Sequence, residues 1–288
     1  NVKSGGTVTF AKTDNVGVNL GGGDFKIAGK MAITGAVDKT LDINSGGGSI
    51  EITGDITGTN GDENLVLDDN NTGSSGIITL GGNVGADSGV ASNLKSVTLA
   101  GNGGVKLTGD ITTSATAGGG VTITGPVTLN GDVIIDADAA NTTVTFNSTA
   151  TVNSDGTPRD LDIRTAGGAI TMDATIGNSA AIDVLKINSA GTPSGNIDLF
   201  GLAGVTTSAA IGNSSTNQIK LDGTTYTTAG TQTYTSATGD KILFTNTSGA
   251  TITTSGTDVG FVGGNVKLKE DANLTITTGG GNGNISFG

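Results

Sequence analysis

The sequence predicts an all-β fold of the β-solenoid kind, from three observations: which residues abound, which are scarce, and how the apolar ones are spaced. Gly supplies 51 of the 288 residues, more than twice its usual share of ~7%. Thr, at 48, is nearly as common. Both are poor helix formers, glycine through backbone entropy and threonine through β-branching. Aromatic residues make up only 3% of the chain, and Trp is absent. A compact two-layer domain of this length normally buries several large rings. A coil that spreads a thin aliphatic core along its length does not need them.

Disorder and collagen are the other glycine-rich outcomes. Disordered chains are poor in apolar residues and rich in charge and proline, whereas this one has 14% charged residues, 3 Pro and a mean hydropathy of +0.03. Collagen requires a strict three-residue glycine period and abundant proline, and neither is present.

Two apolar patterns recur. The first places apolar residues at i, i+2 and i+6, as in MAITGAV (Met31, Ile33, Val37), IEITGDI (Ile50, Ile52, Ile56) and ITLGGNV (Ile78, Leu80, Val84). It returns as VKLTGDI (Val105, Leu107, Ile111), VTITGPV (Val121, Ile123, Val127) and ITMDATI (Ile170, Met172, Ile176). The i, i+2 pair lies on one face of a strand; the T-G-D or T-G-P step bends the chain, and the third apolar residue is expected to return to the same interior. The second pattern is an alternating apolar pair closed by Asn or Asp: LDIN from Leu41, LVLD from Leu65, VIID from Val133, VTFN from Val144, LKIN from Leu185 and IKLD from Ile219. Asn and Asp end strands because their side chains bond the local backbone and tolerate left-handed conformations.

Copies of the first pattern start 19, 28, 27, 16 and 49 residues apart, so the repeat is real but its loops vary in length. Short strands in a quasi-repeat of ~20–30 residues are the mark of a solenoid whose turns stack at about 4.8 Å. At ~25 residues per turn the chain makes 11 or 12 turns, a rod of roughly 50–60 Å. A β-sandwich is the alternative architecture, disfavoured because it needs a wide two-sheet core. No domain boundary interrupts residues 1–288, read as a single continuous solenoid. The least regular stretches, Ala86–Asn93, Ser114–Gly120, Asp155–Arg159 and Gly223–Lys241, are expected to be loops leaving the rod. The last holds Tyr226 and Tyr234, read as strand or packing residues rather than an exposed patch.

The absences exclude chemistry. Without His or Cys there is no Ser-His-Asp or Cys-His nucleophile, no His/Cys zinc site and no disulfide framework. The formal net charge of −12 disfavours nucleic acid and anionic membrane as partners. No apolar run is long enough to insert in a membrane as a helix.

The C-terminal third carries a resemblance. GTQTY (Gly230 to Tyr234), NVKLKEDANLTITT (Asn265 to Thr278) and the closing GNISFG (Gly283 to Gly288), with the earlier SIEITGDITG and GVTITGPVTLNGDVIID, resemble the repeat regions of very large bacterial exoproteins. These are the filamentous-haemagglutinin-like and autotransporter-like adhesins. The resemblance implies a right-handed parallel β-helix, export from a bacterial cell, and a role in adhesion, surface fibres or biofilm. It carries over no functional residue. NVKSGGTVTF at the start already reads as strand material, and Gly288 directly follows a strand. An interior piece of a longer repetitive protein, or a subunit stacking head to tail on its neighbours, is therefore expected.

Candidate chemistry is confined to acidic residues. Asp62, Glu63, Asp68 and Asp69, in TNGDENLVLDDNN, are oxygen donors of the type Ca²⁺ prefers. Neither an EF-hand nor a G-G-x-G-x-D repeat surrounds them, and a solvated turn is the plainer reading. Asp136 and Asp138 (IIDAD) share a strand side and form the one carboxylate pair with glycosidase character, but stacking platforms for sugar are missing. Both Arg residues fall in TPRDLDIR, where Leu161 and Ile163 face inward and leave Asp160, Asp162 and Arg164 outside, an arrangement for surface ion pairing. Thr-x-Thr triplets at Thr7–Thr9, Thr122–Thr124, Thr143–Thr145, Thr251–Thr253 and Thr275–Thr277 are reminiscent of ice-binding faces, but their irregular spacing makes β-propensity the simpler cause.

The sequence thus points to a non-catalytic structural segment of an extracellular or cell-surface fibre or adhesin. It would need no cofactor, and its partners would be itself, head to tail or laterally, and a host or neighbouring cell surface. A solenoid binding module for glycan, ice or a receptor is the alternative, and a carbohydrate-active β-helix enzyme a more distant one.

Overall fold

A computed structural model of the chain describes residues 6–69, 73, 75–85, 93–114, 118–137, 142–147 and 150–288. Among these residues there is no helix; short strands follow one another from Thr7–Lys12 to Ile285–Phe287. Each strand pairs in parallel with strands of the adjacent turns, as expected of a solenoid. One turn supplies three faces: Gly120–Thr124 on the first, Val127–Leu129 on the second and Val133–Ala137 on the third. The next supplies Thr143–Phe146, Thr151–Ser154 and Leu161–Thr165, and the register aligns Val121 with Val144, Val127 with Val152 and Val133 with Leu161. The first face stacks 11 strands, from Val16–Asn19 to Asn265–Leu268, which at ~4.8 Å per rung makes a rod of about 50 Å. Parallel pairing between successive turns rules out the β-sandwich.

The interior is a set of aliphatic columns. On the first face Leu41, Leu65, Val97, Val121, Val144, Ile170, Ile197, Ile219 and Ile242 stand one above another, all buried. Turns vary from 22 residues (Ile197 to Ile219) to 32 (Leu65 to Val97), and the difference is absorbed by the corners. Asn188 closes its strand as expected: at φ 47° it accepts the Thr165 N–H at 2.7 Å and donates to Thr165 Oγ1 at 2.9 Å, tying one rung to the next. Asp136 does not, since its strand continues through Ala137.

Glycine abundance has a steric origin at two of the corners. Gly48, Gly76 and Gly103 form one column, and a Cβ on Gly76 or Gly103 would lie 2.4 Å from the carbonyl oxygen of the glycine one turn below. Gly54, Gly82 and Gly109 form another, in which an added Cβ meets the preceding turn's backbone carbonyl carbon at 2.6–2.7 Å. Rungs cannot approach to ladder spacing at these corners with a side chain between them.

Two expectations fail. Val37 is 59% exposed rather than inward, because MAITGAV occupies the third face. Its strand runs on to Gly35 and the chain then leaves for the corner, whereas IEITGDI spans the second-to-third corner and reaches the interior again at Ile56. Gly223–Lys241 is not a loop leaving the rod. It contains the strands Thr225–Thr227 and Thr231–Thr235, with Tyr226 and Tyr234 fully buried. The Tyr226 hydroxyl accepts the Gly223 N–H at 2.9 Å and donates to the Leu199 carbonyl at 3.1 Å. Tyr234, Phe261 and Phe287 stack along the third face with centroids 5.5 and 5.1 Å apart. Asp155–Arg159 does form a turn, whereas residues 86–92 and 115–117 of the other two expected loops lie outside the described residues.

Candidate functional site

A concave feature rich in titratable groups lies outside the third face: a groove of about 360 Å³ lined by Asp110, Asp132, Asp160, Asp162, Arg164 and Lys186. Its floor is the ladder of Val133–Ala137 on Leu161–Thr165. Period-two alternation sends Val133, Ile135, Leu161 and Ile163 inward and leaves Ile134, Asp162 and Arg164 outside, the arrangement expected from TPRDLDIR. Arg164 donates to Asp162 Oδ2 from Nε at 3.1 Å and from Nη2 at 2.6 Å.

Three of the carboxylates are engaged with backbone. Asp110 Oδ1 accepts the Ile134 N–H at 2.7 Å, Asp132 Oδ1 accepts the Asp160 N–H at 3.1 Å, and Asp160 Oδ1 accepts the Val184 N–H at 3.1 Å. Each bond runs from one turn to the next, so the carboxylates act as staples between rungs where the chain enters the third face. Burial, joined by the like charge of Asp132 one rung away, pushes the Asp160 carboxyl above its ordinary value. The sequence signal for this column was the recurring Asp before an apolar residue at the strand start, in GDI, GDV and RDL. In isolation each of these reads only as a turn.

A second charged cluster sits on the first face. Lys220 bridges Asp198 at 2.7 Å and Asp222 at 2.9 Å. Burial opposes its charge, but the hydrogen bonds it donates to both carboxylates, with their charge, outweigh that, and its pKa is pushed up to about 12. Near the N-terminal turns, Lys12 is 3% exposed, and burial pulls its amine below the usual range, partly offset by Glu63. The two are 51 positions apart in the chain, and no local pattern signals their proximity.

The calcium candidates do not converge. Asp62 and Glu63 precede the strand Asn64–Asp68, which ends on Asp68 with Asp69 directly after it, so four residues separate the two pairs, and Glu63 and Asp68 lie five steps, about 16 Å of extended chain, apart. Glu63 is fully buried and accepts from Thr59 N at 3.2 Å and Thr59 Oγ1 at 2.8 Å. Asp69 is fully buried and accepts the Asn102 N–H at 2.8 Å. Asp68 is half-buried on its strand, in register with Asn44 and Ala100. Among the described residues no group of three or more acidic side chains is placed to hold a metal ion. Asp136 stands on the third face in register with Thr112 and Arg164; its expected partner Asp138 lies outside the described residues.

No protein-family model, curated protein or solved structure matches the chain.

Proposed function

We propose that the chain is a load-bearing rod segment of an extracellular or cell-surface fibre or adhesin, similar in kind to the repeat regions its vocabulary resembles. The observation that carries this reading is the continuity of the ladder: 11 first-face strands are hydrogen-bonded in one sheet around an interior with space for little beyond aliphatic columns. Force along such a rod is shared among many parallel backbone bonds, and each turn depends only on its neighbours. The acidic groove fits the same role, since its carboxylates hold rung to rung. At the last turn Leu268, Ile285 and Phe287 are 45–63% exposed, an apolar surface on which a further rung can stack, from the same chain or from a second copy.

Electron microscopy of the purified chain tests this. The expected result is rods whose lengths are multiples of about 50 Å, reduced to single units by Leu268→Lys with Phe287→Lys. Cleavage of a polysaccharide by the purified chain, abolished by Asp132→Asn or Asp160→Asn, would overturn it in favour of an enzyme.

A further inference from the structure

We propose that the second face of the last three turns binds ice. The register stacks Thr225 on Thr251 on Thr275, and Thr227 on Thr253 on Thr277, as two adjacent columns. Tyr226, Ile252 and Ile276 lie between them and point into the rod. The first column continues backward through Gly201, where threonine is missing, to Thr175 and Thr151.

Three features separate this array from a by-product of β-propensity. Propensity favours threonine in strands generally, yet the same outward position in earlier turns of this face carries Lys26, Glu51, Thr79, Lys106, Thr128 and Asn153. Only at residues 225–277 are both outward positions threonine on three consecutive turns. Secondly, the face is neutral in a chain of net charge −12, with no charged residue in 223–239, 242–257 or 272–288. Thirdly, it is rigid. The ladder sets about 4.8 Å between rungs and about 6.6 Å between alternate residues, and β-branching restricts χ1.

A fixed two-dimensional grid of methyl and hydroxyl groups suits a ligand that is itself a lattice, because neither side loses freedom on docking. A charged ligand finds no counter-charge there. A sugar chain finds no aromatic ring on the columns themselves: Trp is absent, both Tyr are buried, and the half-exposed Phe200 stands beside Thr225 at the margin of the array, one residue before Gly201. Crystalline water, which repeats in two dimensions and both donates and accepts hydrogen bonds at every node, is the matching partner. The sequence displays the triplets Thr251–Thr253 and Thr275–Thr277 but not the array, because Thr225 and Thr227 fall in a stretch with the look of a loop and the triplets are regular in space but not along the chain.

The test is partitioning of the full chain into slowly growing ice, with ice recrystallisation as a second readout. The wild-type chain is expected to enter the ice and slow recrystallisation. Thr251→Lys with Thr253→Lys is expected to lose both effects, while Thr122→Lys on the first face keeps them; circular dichroism establishes that each variant is folded. Exclusion of the wild-type chain from ice, or retention of the variant, would overturn the proposal. So would binding to crystalline cellulose or chitin, without ice binding, that the same variant abolishes. None of these outcomes bears on the rod reading, which depends on length and end contacts alone.

Discussion

Replacing Gly82 with Ala places a methyl 2.6 Å from the Gly54 carbonyl carbon, 2.7 Å from the Asp55 nitrogen and 2.8 Å from Asp55 Oδ1. Carbon contacts are comfortable at about 3.5–4.0 Å, so the two rungs must part by most of an ångström at this corner. Two bonds cross the gap, Ile56 N–H to the Asn83 carbonyl at 2.8 Å and Asn83 N–H to Asp55 Oδ1 at 3.2 Å, and both lengthen. Overpacking by one methyl ordinarily costs about 1–3 kcal/mol. Here the obstruction is largely backbone, which cannot rotate away, so the cost is about 3 kcal/mol. Gly17 supplies the control: it lies mid-strand, and an added Cβ there meets nothing within 4 Å. Gly17→Ala should stabilise by about 0.4–1 kcal/mol through the unfolded chain. In urea unfolding followed by circular dichroism, with a slope near 3 kcal/mol/M, the two midpoints should differ by roughly 1 M. Equal midpoints would refute the claim that these glycines are present for rung-to-rung approach.

Two further outcomes follow from buried polar groups. Tyr226→Phe strands the buried Gly223 N–H and takes one of two donors from the Leu199 carbonyl, which keeps the Asp222 N–H at 3.3 Å, an expected loss of about 2 kcal/mol in the same urea assay. Burial raises the pKa of Tyr226 and Tyr234, so the fold disfavours phenolate and loses stability as pH rises past the unfolded value near 10; both tyrosines should ionise only on alkaline unfolding, as read by difference absorbance. Asp160, whose pKa is raised by burial and by Asp132, takes up its proton earlier in the folded state than in the unfolded one. Its contribution therefore grows as pH falls from neutral towards about 4. Asp160→Asn keeps the acceptor for Val184 and removes the repulsion, so it should be at least as stable as wild type at pH 7 and show a flatter stability profile below it.

The strands that sequence reading places correctly are those whose inward residues are Val, Ile and Leu at i and i+2. Burial alternates there with the same period as the side chains, so Ile50 and Ile52 or Leu65 and Leu67 declare themselves. Which corner a motif turns is not legible. The letters T-G-x-[VI] follow Ile33, Ile52 and Ile123 alike, yet Val37 ends in solvent while Ile56 and Val127 are buried, because the face is set by what stacks beneath. The strands within 223–241 escape for a different reason: their inward residues are Tyr226, Gln232 and Tyr234, with threonine elsewhere, and polar inward residues erase the alternation. The Asp162–Arg164 pair is legible from its strand, because i and i+2 share a side. The Lys12–Glu63 proximity and the threonine columns depend on register between distant turns, which no local pattern encodes.

Position along the rod follows turn number rather than distance along the sequence. Thr98, Thr122, Thr145, Thr171, Asp198, Lys220, Leu243 and Lys267 form one outward column on the first face. The native chain has no cysteine, so spin labels attach only where Cys is introduced. Thr98→Cys with Lys267→Cys spans seven rungs, and electron–electron dipolar spectroscopy should return a narrow distribution centred near 34 Å at about 4.8 Å per rung. A broad distribution, or a separation well away from that value, would contradict the stacked coil.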